Sequence, residues 1–281
     1  MKKIYISVDM EGISTMVSQD QMRGSVMDME RREIATMEVN AAIEGAFEAG
    51  AEVVYVSDTH PPSLNIIPMM LDERAQLIRG NPRPAGTLQD IDSTFSGVIL
   101  IGLHAKSGTR SGVLNHTWLH HLYDFRINGL SVGEIGINAF SAAEEGVPII
   151  MVAGDEATGQ EAKQLLGNVE TVATKYGITR NAARTLHPNV VCRNIRETAY
   201  EAVMNLDRYS PLLAKRPVSM ELDFMNTDEA DYCMLVPGAV RISDRCVSYT
   251  AEDFKTLFGC FHVMCHMAWS LKDDAPGDIS Y

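Results

Sequence analysis

The chain has 281 residues, and its content of 46% apolar and 22% charged residues is typical of a globular protein with a sizeable core. Its 37 acidic and 24 basic side chains give a formal charge of −13, which disfavours nucleic acid and anionic membrane surfaces as partners. Because no apolar run approaches the ~18 residues of a membrane span and the five cysteines form no CxxC pair, we expect a cytoplasmic protein with reduced thiols.

The first two thirds of the chain alternate short apolar runs with amphipathic stretches. This pattern is typical of an α/β fold with a mainly parallel sheet flanked by helices. Strands are predicted over residues 4–8, 53–57, 98–102 and 148–153. A helix is predicted over 27–49 with Gly50 as its C-cap, and Asn128-Gly129 predicts a hairpin turn between strands 123–127 and 130–132.

The last third of the chain has a different, α+β pattern. Helices predicted over 188–207 and 251–271 enclose a linker at 208–217 and strands at 218–224, 239–243 and 246–250. We therefore predict two domains: an α/β metal-binding catalytic domain at 1–187, and a smaller α+β C-terminal domain at 188–281 that we associate with assembly. The tail 272–281 is expected to be loosely ordered.

Polar residues follow each predicted strand of the first two thirds. Ligands of open α/β sheets bind at the carboxyl ends of the strands, so these residues are candidates for a functional site. The last of them, Asp155, directly precedes a predicted helix at 156–166 and is typical of a helix N-cap. The candidates are Asp9, Glu11, Asp58, His60, His104, Glu134 and Asp155, with His116 in the loop after His104.

Clustered carboxylates repel one another and raise one another's pKa unless a cation lies between them. A mixture of histidine and carboxylate ligands suits zinc, manganese or iron better than magnesium or calcium. Five ligands are more than one tetrahedral metal ion with an open position can use. The number favours two metal ions about 3.5–4 Å apart, with Asp9 as the bridging ligand. The predicted ligands are Asp9, Glu11, His60, His104 and Glu134.

The same residues allow a second hypothesis. The run from Val8 to Ile13 is similar to the nucleophile loop of haloacid-dehalogenase-type phosphatases, in which Asp9 would form an aspartyl phosphate. Asp155 would then lie in their magnesium-binding acidic loop. Glu11 stands where that loop has a second aspartate, and the hypothesis leaves the histidines and Glu134 without a role.

A pair of histidines on the last predicted helix is a third candidate site. His262 and His266 are four residues apart, a spacing that could hold zinc. Val263 replaces the glutamate that a metalloprotease HExxH motif requires, so we favour a partly buried helix face.

A third hypothesis for the whole chain is a non-catalytic protein that binds peptides or forms rings. Such a protein would keep the fold, but the complete set of predicted metal ligands argues against it.

Six motifs occur in one order along the first two thirds of the chain. They are Ser7-Val8-Asp9-Met10-Glu11-Gly12, Asp58-Thr59-His60, Gly102-Leu103-His104-Ala105, Asn115-His116-Thr117, Gly133-Glu134-Ile135-Gly136 and Val152-Ala153-Gly154-Asp155. In this set the chain resembles the zinc-dependent D-aminopeptidases of the dipeptide-transport-operon type, which are self-compartmentalising metallopeptidases. The SxDxEG loop at its start is the most specific part of the resemblance.

The resemblance implies two zinc ions per subunit, with manganese or cobalt as substitutes. Asp9 would bridge them, and Glu11, His60, His104 and Glu134 would complete the ligand set. It further implies a metal-activated hydroxide that attacks the peptide carbonyl, with the non-ligand catalytic residue His116 as oxyanion donor or proton donor. The expected substrates are short peptides with an N-terminal D-amino acid, and the expected assembly is a homo-oligomer, a decamer.

Overall fold

The computed structural model describes residues 1–22 and 26–271. The predicted loosely ordered tail, 272–281, lies outside the described residues. None of the helices in the described ranges is long and apolar enough to cross a membrane.

The described residues form strands and α-helices that alternate along most of the chain. Three short 3-10 helices, at Gln19–Met22, Gly86–Leu88 and Leu206–Arg208, lie between them. In chain order the elements are β1 (Lys3–Val8), α1 (Val26–Glu48), β2 (Val53–Asp58), β3 (Gln76–Ile78), β4 (Gly97–Leu103), β5 (Leu122–Ile127), β6 (Leu130–Ser131), α2 (Glu134–Glu144), β7 (Ile149–Asp155), α3 (Glu156–Leu166), β8 (Glu170–Thr179), β9 (Ala182–Thr185), α4 (Pro188–Met204), β10 (Val218–Phe224), α5 (Thr227–Cys233), β11 (Val240–Arg241), β12 (Cys246–Ala251) and α6 (Phe254–Trp269).

The first sheet is mainly parallel, which confirms the predicted fold class. Its strand order is β3-β2-β1-β4-β7-β8-β9, and only the last pair is antiparallel. Alternate residues of the central strand β1 face opposite layers, as the pleat requires. Ile4 and Ile6 pack in one core with α1 and α4, whereas Tyr5 packs in another with α2 and α3.

The second sheet is antiparallel and has the order β11-β12-β10-β5-β6. Along β10, fully buried residues alternate with half-buried ones, so one face of the sheet covers a core. Phe125 of β5 and Leu222 of β10 pack there with Phe261 of α6. Helix α2 contributes to the cores of both sheets, with Ile135 in the first and Ile137 in the second, so it lies between them.

The division into two sheets does not follow the predicted boundary at residue 187. The predicted hairpin forms, but its strand β5 pairs with β10 in the second sheet, with Phe125 opposite Leu222. Helix α4, placed by sequence in the C-terminal domain, packs on α1 through residues such as Val191 and Ile195. Hydrophobic periodicity identifies the type of an element but not the sheet that it joins.

Two predicted helix boundaries are confirmed. Asp155 is the N-cap of α3, and its side chain accepts a hydrogen bond from the backbone N–H of Thr158. Gly50 follows the end of α1 with a φ of +87°, a left-handed conformation that glycine adopts without strain.

Candidate metal centre

The candidate residues lie where three neighbouring parallel strands end. Strand β1 is paired with β2 on one side and with β4 on the other, so that Val8 lies beside Asp58 and Ile101. The next residues of these strands, including Asp9 and His104, therefore emerge at the same sheet edge. Glu134 reaches this edge from the first turn of α2.

All five predicted ligands meet at this edge and form two adjacent groups. The first group contains Asp9, Glu11 and His60, whose Nδ1 lies 3.1 Å from Asp9 Oδ1 and 3.1 Å from Glu11 Oε2. The second group contains Glu134, His104 and His116. In the second group, Glu134 Oε1 lies 3.3 Å from His104 Nε2 and 4.0 Å from His116 Nε2.

Asp9 connects the two groups. While its Oδ1 faces His60, its Oδ2 lies 3.5 Å from His104 Nε2. The two oxygens of one carboxylate therefore point to different groups. This is the arrangement expected of a ligand that bridges two metal ions.

The polar atoms at the centre of the site fit a metal ion. Glu11 Oε2 and His104 Nε2 are buried and make no hydrogen bond of acceptable geometry. Buried polar atoms usually have partners, and an ion is one explanation for atoms that lack them. His104 Nδ1 lies 3.0 Å from the carbonyl oxygen of Ala105, to which it can donate, so that Nε2 is left to ligate. The imidazole and carboxylate donors suit zinc.

The carboxylates favour positive charge at this position. Burial alone would lower the pKa of His60, but Glu11 and Asp9 outweigh it and raise the pKa to about 10. Burial would raise the pKa of Glu134, but the neighbouring His104 outweighs it and lowers the pKa to about 2. Burial and then Glu11 raise the pKa of Asp9 to about 6. The field of the site thus attracts a proton or a metal cation.

His116 differs from the other two histidines of the centre. Burial and then the neighbouring His104 lower its pKa to about 3, so the ring is neutral at pH 7. Its Nδ1 lies 2.8 Å from the carbonyl oxygen of Leu114, and the N–H that donates this hydrogen bond is therefore on Nδ1. The lone pair of Nε2 then faces the site, where it can accept a proton or bind a metal.

A cavity of about 460 Å³ lies in front of both groups. One of its walls is a single face of α6, whose residues recur with the helical spacing i, i+3, i+4 and i+7. His262 and His266, predicted to lie on a partly buried helix face, belong to this wall and so border the site. The four residues are His262, Cys265, His266 and Trp269.

Other residues near the site were not singled out by their sequence context. His120 lines the cavity, and its ring lies 4.5 Å from that of His116. The backbone N–H of Trp118 donates to Glu134 Oε1 over 2.8 Å, and the indole packs edge-on against His262.

Within residues 1–22 and 26–271 the two groups above are the clusters of three or more side chains that could hold a metal. Zinc binding by the pair His262 and His266 therefore receives no support.

Asp155 does not join the centre. Its Oδ1 accepts hydrogen bonds from the backbone and side chain of Thr158, and its Oδ2 accepts one from the backbone N–H of Val113. Because both oxygens are occupied by the N-cap and a loop, the acidic loop that the phosphatase hypothesis requires is not formed. This disfavours the aspartyl-phosphate mechanism.

Three comparisons relate the chain to known proteins. A family model described as D-aminopeptidase matches residues 1–263. The chain is 35% identical over 269 residues to a D-aminopeptidase of Bacillus subtilis (strain 168), which covers 95% of this chain and 97% of the relative. It is also similar to a solved structure from Bacillus subtilis, described as the Zn-dependent D-aminopeptidase DppA, a self-compartmentalizing protease. That match has a TM-score of 0.92 and 34% identity over 95% of this chain and 98% of the other.

Proposed function

Because the chain belongs to the D-aminopeptidase family, we propose that it is a dinuclear zinc aminopeptidase that releases N-terminal D-amino acids from short peptides. Membership of this family makes the chain a metal-dependent peptidase, a hydrolase. The observation that carries the dinuclear proposal is the position of Asp9, whose two oxygens face His60 in one group and His104 in the other.

The ligand set divides between the two ions. Glu11 and His60 would hold one zinc ion, His104 and Glu134 would hold the other, and Asp9 would bridge them. Bound zinc supplies a Lewis acid for the peptide carbonyl and lowers the pKa of water toward ~7. Manganese or cobalt should substitute, because they accept the same nitrogen and oxygen donors.

His116 would assist the reaction without holding a metal ion. Its hydrogen bond to the Leu114 carbonyl turns Nε2 toward the site. There the ring would act as the oxyanion donor or as the proton donor to the departing amine, the two roles that the family resemblance implies.

The cavity limits the substrate. The cavity has a volume of about 460 Å³, and Pro61, Leu119 and the face of α6 described above are among its walls. Such a cavity suits a short peptide rather than a folded protein. The preference for D-residues is carried over from the family description.

We also propose that copies of the chain assemble into a homo-oligomer, a decamer. The solved relative is described as self-compartmentalizing, and a chamber formed by several copies would admit short peptides selectively. Light scattering on the purified full chain gives the mass of the assembly. A decamer has ten times the mass of the 30.9 kDa chain, and a monomer would contradict the proposal.

The deciding experiment measures metal and selectivity together. Elemental mass spectrometry of protein purified without chelator should find close to two zinc ions per chain. Parallel assays on the p-nitroanilides and dipeptides of D-alanine and L-alanine should show release of the D-residue. Protein without a transition metal, but with magnesium-dependent release of phosphate from p-nitrophenyl phosphate, would overturn the proposal in favour of the phosphatase hypothesis.

A further inference from the structure

A buried lysine contacts the loop that carries two of the proposed ligands. This loop, residues 9–16, is called the ligand loop below because it contains Asp9 and Glu11. Lys175 of β8 has no exposed surface. Its Nζ donates to the carbonyl oxygens of Glu11, Ile13 and Met16 over 2.5, 2.7 and 2.6 Å.

Burial of the Lys175 ammonium group costs free energy, so the contacts that it makes there indicate a role in the structure. A buried ammonium group loses its hydration, and buried charges are usually paired with a carboxylate. Here the three hydrogen-bond partners are backbone carbonyls of one loop, one for each ammonium proton. Their dipoles replace the water, and the single cation fixes three points of the loop backbone relative to β8.

Two neighbouring side chains, one on β8 and one on α1, also hold the ligand loop. Thr174, next to Lys175 in β8, donates its hydroxyl to the carbonyl oxygen of Gly12 over 2.6 Å. Glu38 of α1 accepts from the backbone N–H and the hydroxyl of Ser14 over 3.0 and 2.5 Å. The backbone from Glu11 onward is thus held between the sheet and α1.

We propose that Lys175 is a positioning residue for the metal group of Asp9, Glu11 and His60. The inference rests on the proposed dinuclear function. By holding the Glu11 carbonyl, the ammonium keeps the Glu11 carboxylate at its 3.1 Å distance from His60. The other group takes Glu134 and His104 from α2 and the end of β4, and among the described residues the hydrogen bonds of Lys175 Nζ reach only the ligand loop. Loss of the ammonium should therefore weaken one of the two metal sites selectively.

The test replaces the ammonium and titrates metal into the full chain. Lys175→Met keeps the length of the side chain but removes the donors, and Lys163→Met, at an exposed position in α3, is the matched control. After chelator treatment, Co²⁺ alone is titrated into each protein and its visible absorption is recorded, while circular dichroism and thermal unfolding report the fold.

The parent and Lys163→Met should bind two Co²⁺ ions with high affinity. Lys175→Met should bind the first ion like the parent and the second 10–100-fold more weakly, the usual effect of losing an outer contact of a metal site. Two parental affinities in a folded Lys175→Met protein would overturn the proposal. So would an equal loss at both sites, because that is the result of a general structural role.

A second variant covers the case in which Lys175→Met does not fold. Thr174→Val keeps the shape of the side chain and removes the hydroxyl, which lies 2.6 Å from the carbonyl oxygen of Gly12 and 3.1 Å from that of Gly154. It should weaken the same Co²⁺ site by a smaller factor, and unchanged affinities would contradict the positioning role of β8. If the parent itself binds fewer than two ions, the dinuclear function fails, and that result is distinct from failure of the positioning proposal.

Discussion

Replacement of Gly12 by alanine tests whether the ligand loop and the end of β4 must touch. A β-carbon at position 12 would lie 2.0 Å from the carbonyl oxygen of Leu103 and 2.6 Å from the carbonyl carbon of Gly102. Because optimal non-bonded contacts are about 3.5–4.0 Å, one backbone segment would have to retreat by more than about 1 Å. Gly12 directly follows Glu11, and Leu103 directly precedes His104. The retreat therefore separates two proposed ligands.

The expected size of the effect follows from that displacement. A misplacement of about 1 Å costs on the order of 10²-fold in rate. We expect Gly12→Ala to lose about that factor in kcat/KM on a D-alanyl p-nitroanilide, together with part of its zinc. Gly259→Ala is the control, because position 259 is exposed in α6 and a β-carbon there meets no atom within 4 Å. The control should keep full activity and gain up to about 1 kcal/mol from helix propensity.

A folded Gly12→Ala protein with parental kcat/KM and parental zinc content would refute this reasoning. It would mean that the two segments can separate without disturbing the ligands. Equal losses in both glycine variants would point instead to a general sensitivity to added methyl groups.

Three further predictions concern the centre and its support. His116→Ala should keep both metals and lose about 10²–10⁴ in kcat; elemental analysis and steady-state kinetics measure this, and an active variant would remove His116 from the mechanism. Asp9→Ala should lose metal as well as activity, and full metal content in that variant would disprove the bridging role. Burial raises the pKa of Glu38 from its ordinary 4.5 to about 7. Between these two pH values the folded state holds a proton that the unfolded state has lost. The free energy of unfolding therefore falls as the pH rises from about 4.5 to about 7. Urea unfolding at pH 5 and pH 8 should show Glu38→Gln gaining stability relative to the parent at the higher pH, by up to about 3 kcal/mol; a difference that does not vary with pH would contradict the shifted pKa.

The ligands at the ends of the parallel strands were predictable from the sequence, because sheet topology alone places them at one edge. Parallel neighbouring strands end at one edge, and this was enough to bring Asp9, His60 and His104 together without knowledge of any side-chain contact. Glu134 was also identified, because it directly follows the predicted hairpin, although that hairpin joins the second sheet. The two-group arrangement, with Asp9 between the groups, needed coordinates.

Residues that act through long-range packing could not be found in the sequence. Strand β8 was not predicted, because its run of Thr, Lys and Tyr lacks the apolar continuity of β1 or β7. Lys175 therefore looked like any surface lysine. The cavity face of α6 had the expected helical spacing, but periodicity does not tell a face that covers a core from one that borders a cavity. The partner of the hairpin, β10, is likewise set by pairing over about a hundred residues.

The pairing of β5 with β10 has a consequence for where the chain can be shortened. The chain leaves the first sheet after β4, builds two strands of the second, returns through α2 to β7, and only later supplies β10. A gene shortened after residue 187 would encode a lone two-stranded hairpin with an open edge, a structure that is marginal in water and prone to pair with other chains. The last third therefore completes the fold of the first two thirds, because β10 covers the edge of β5 that the shortened chain would expose.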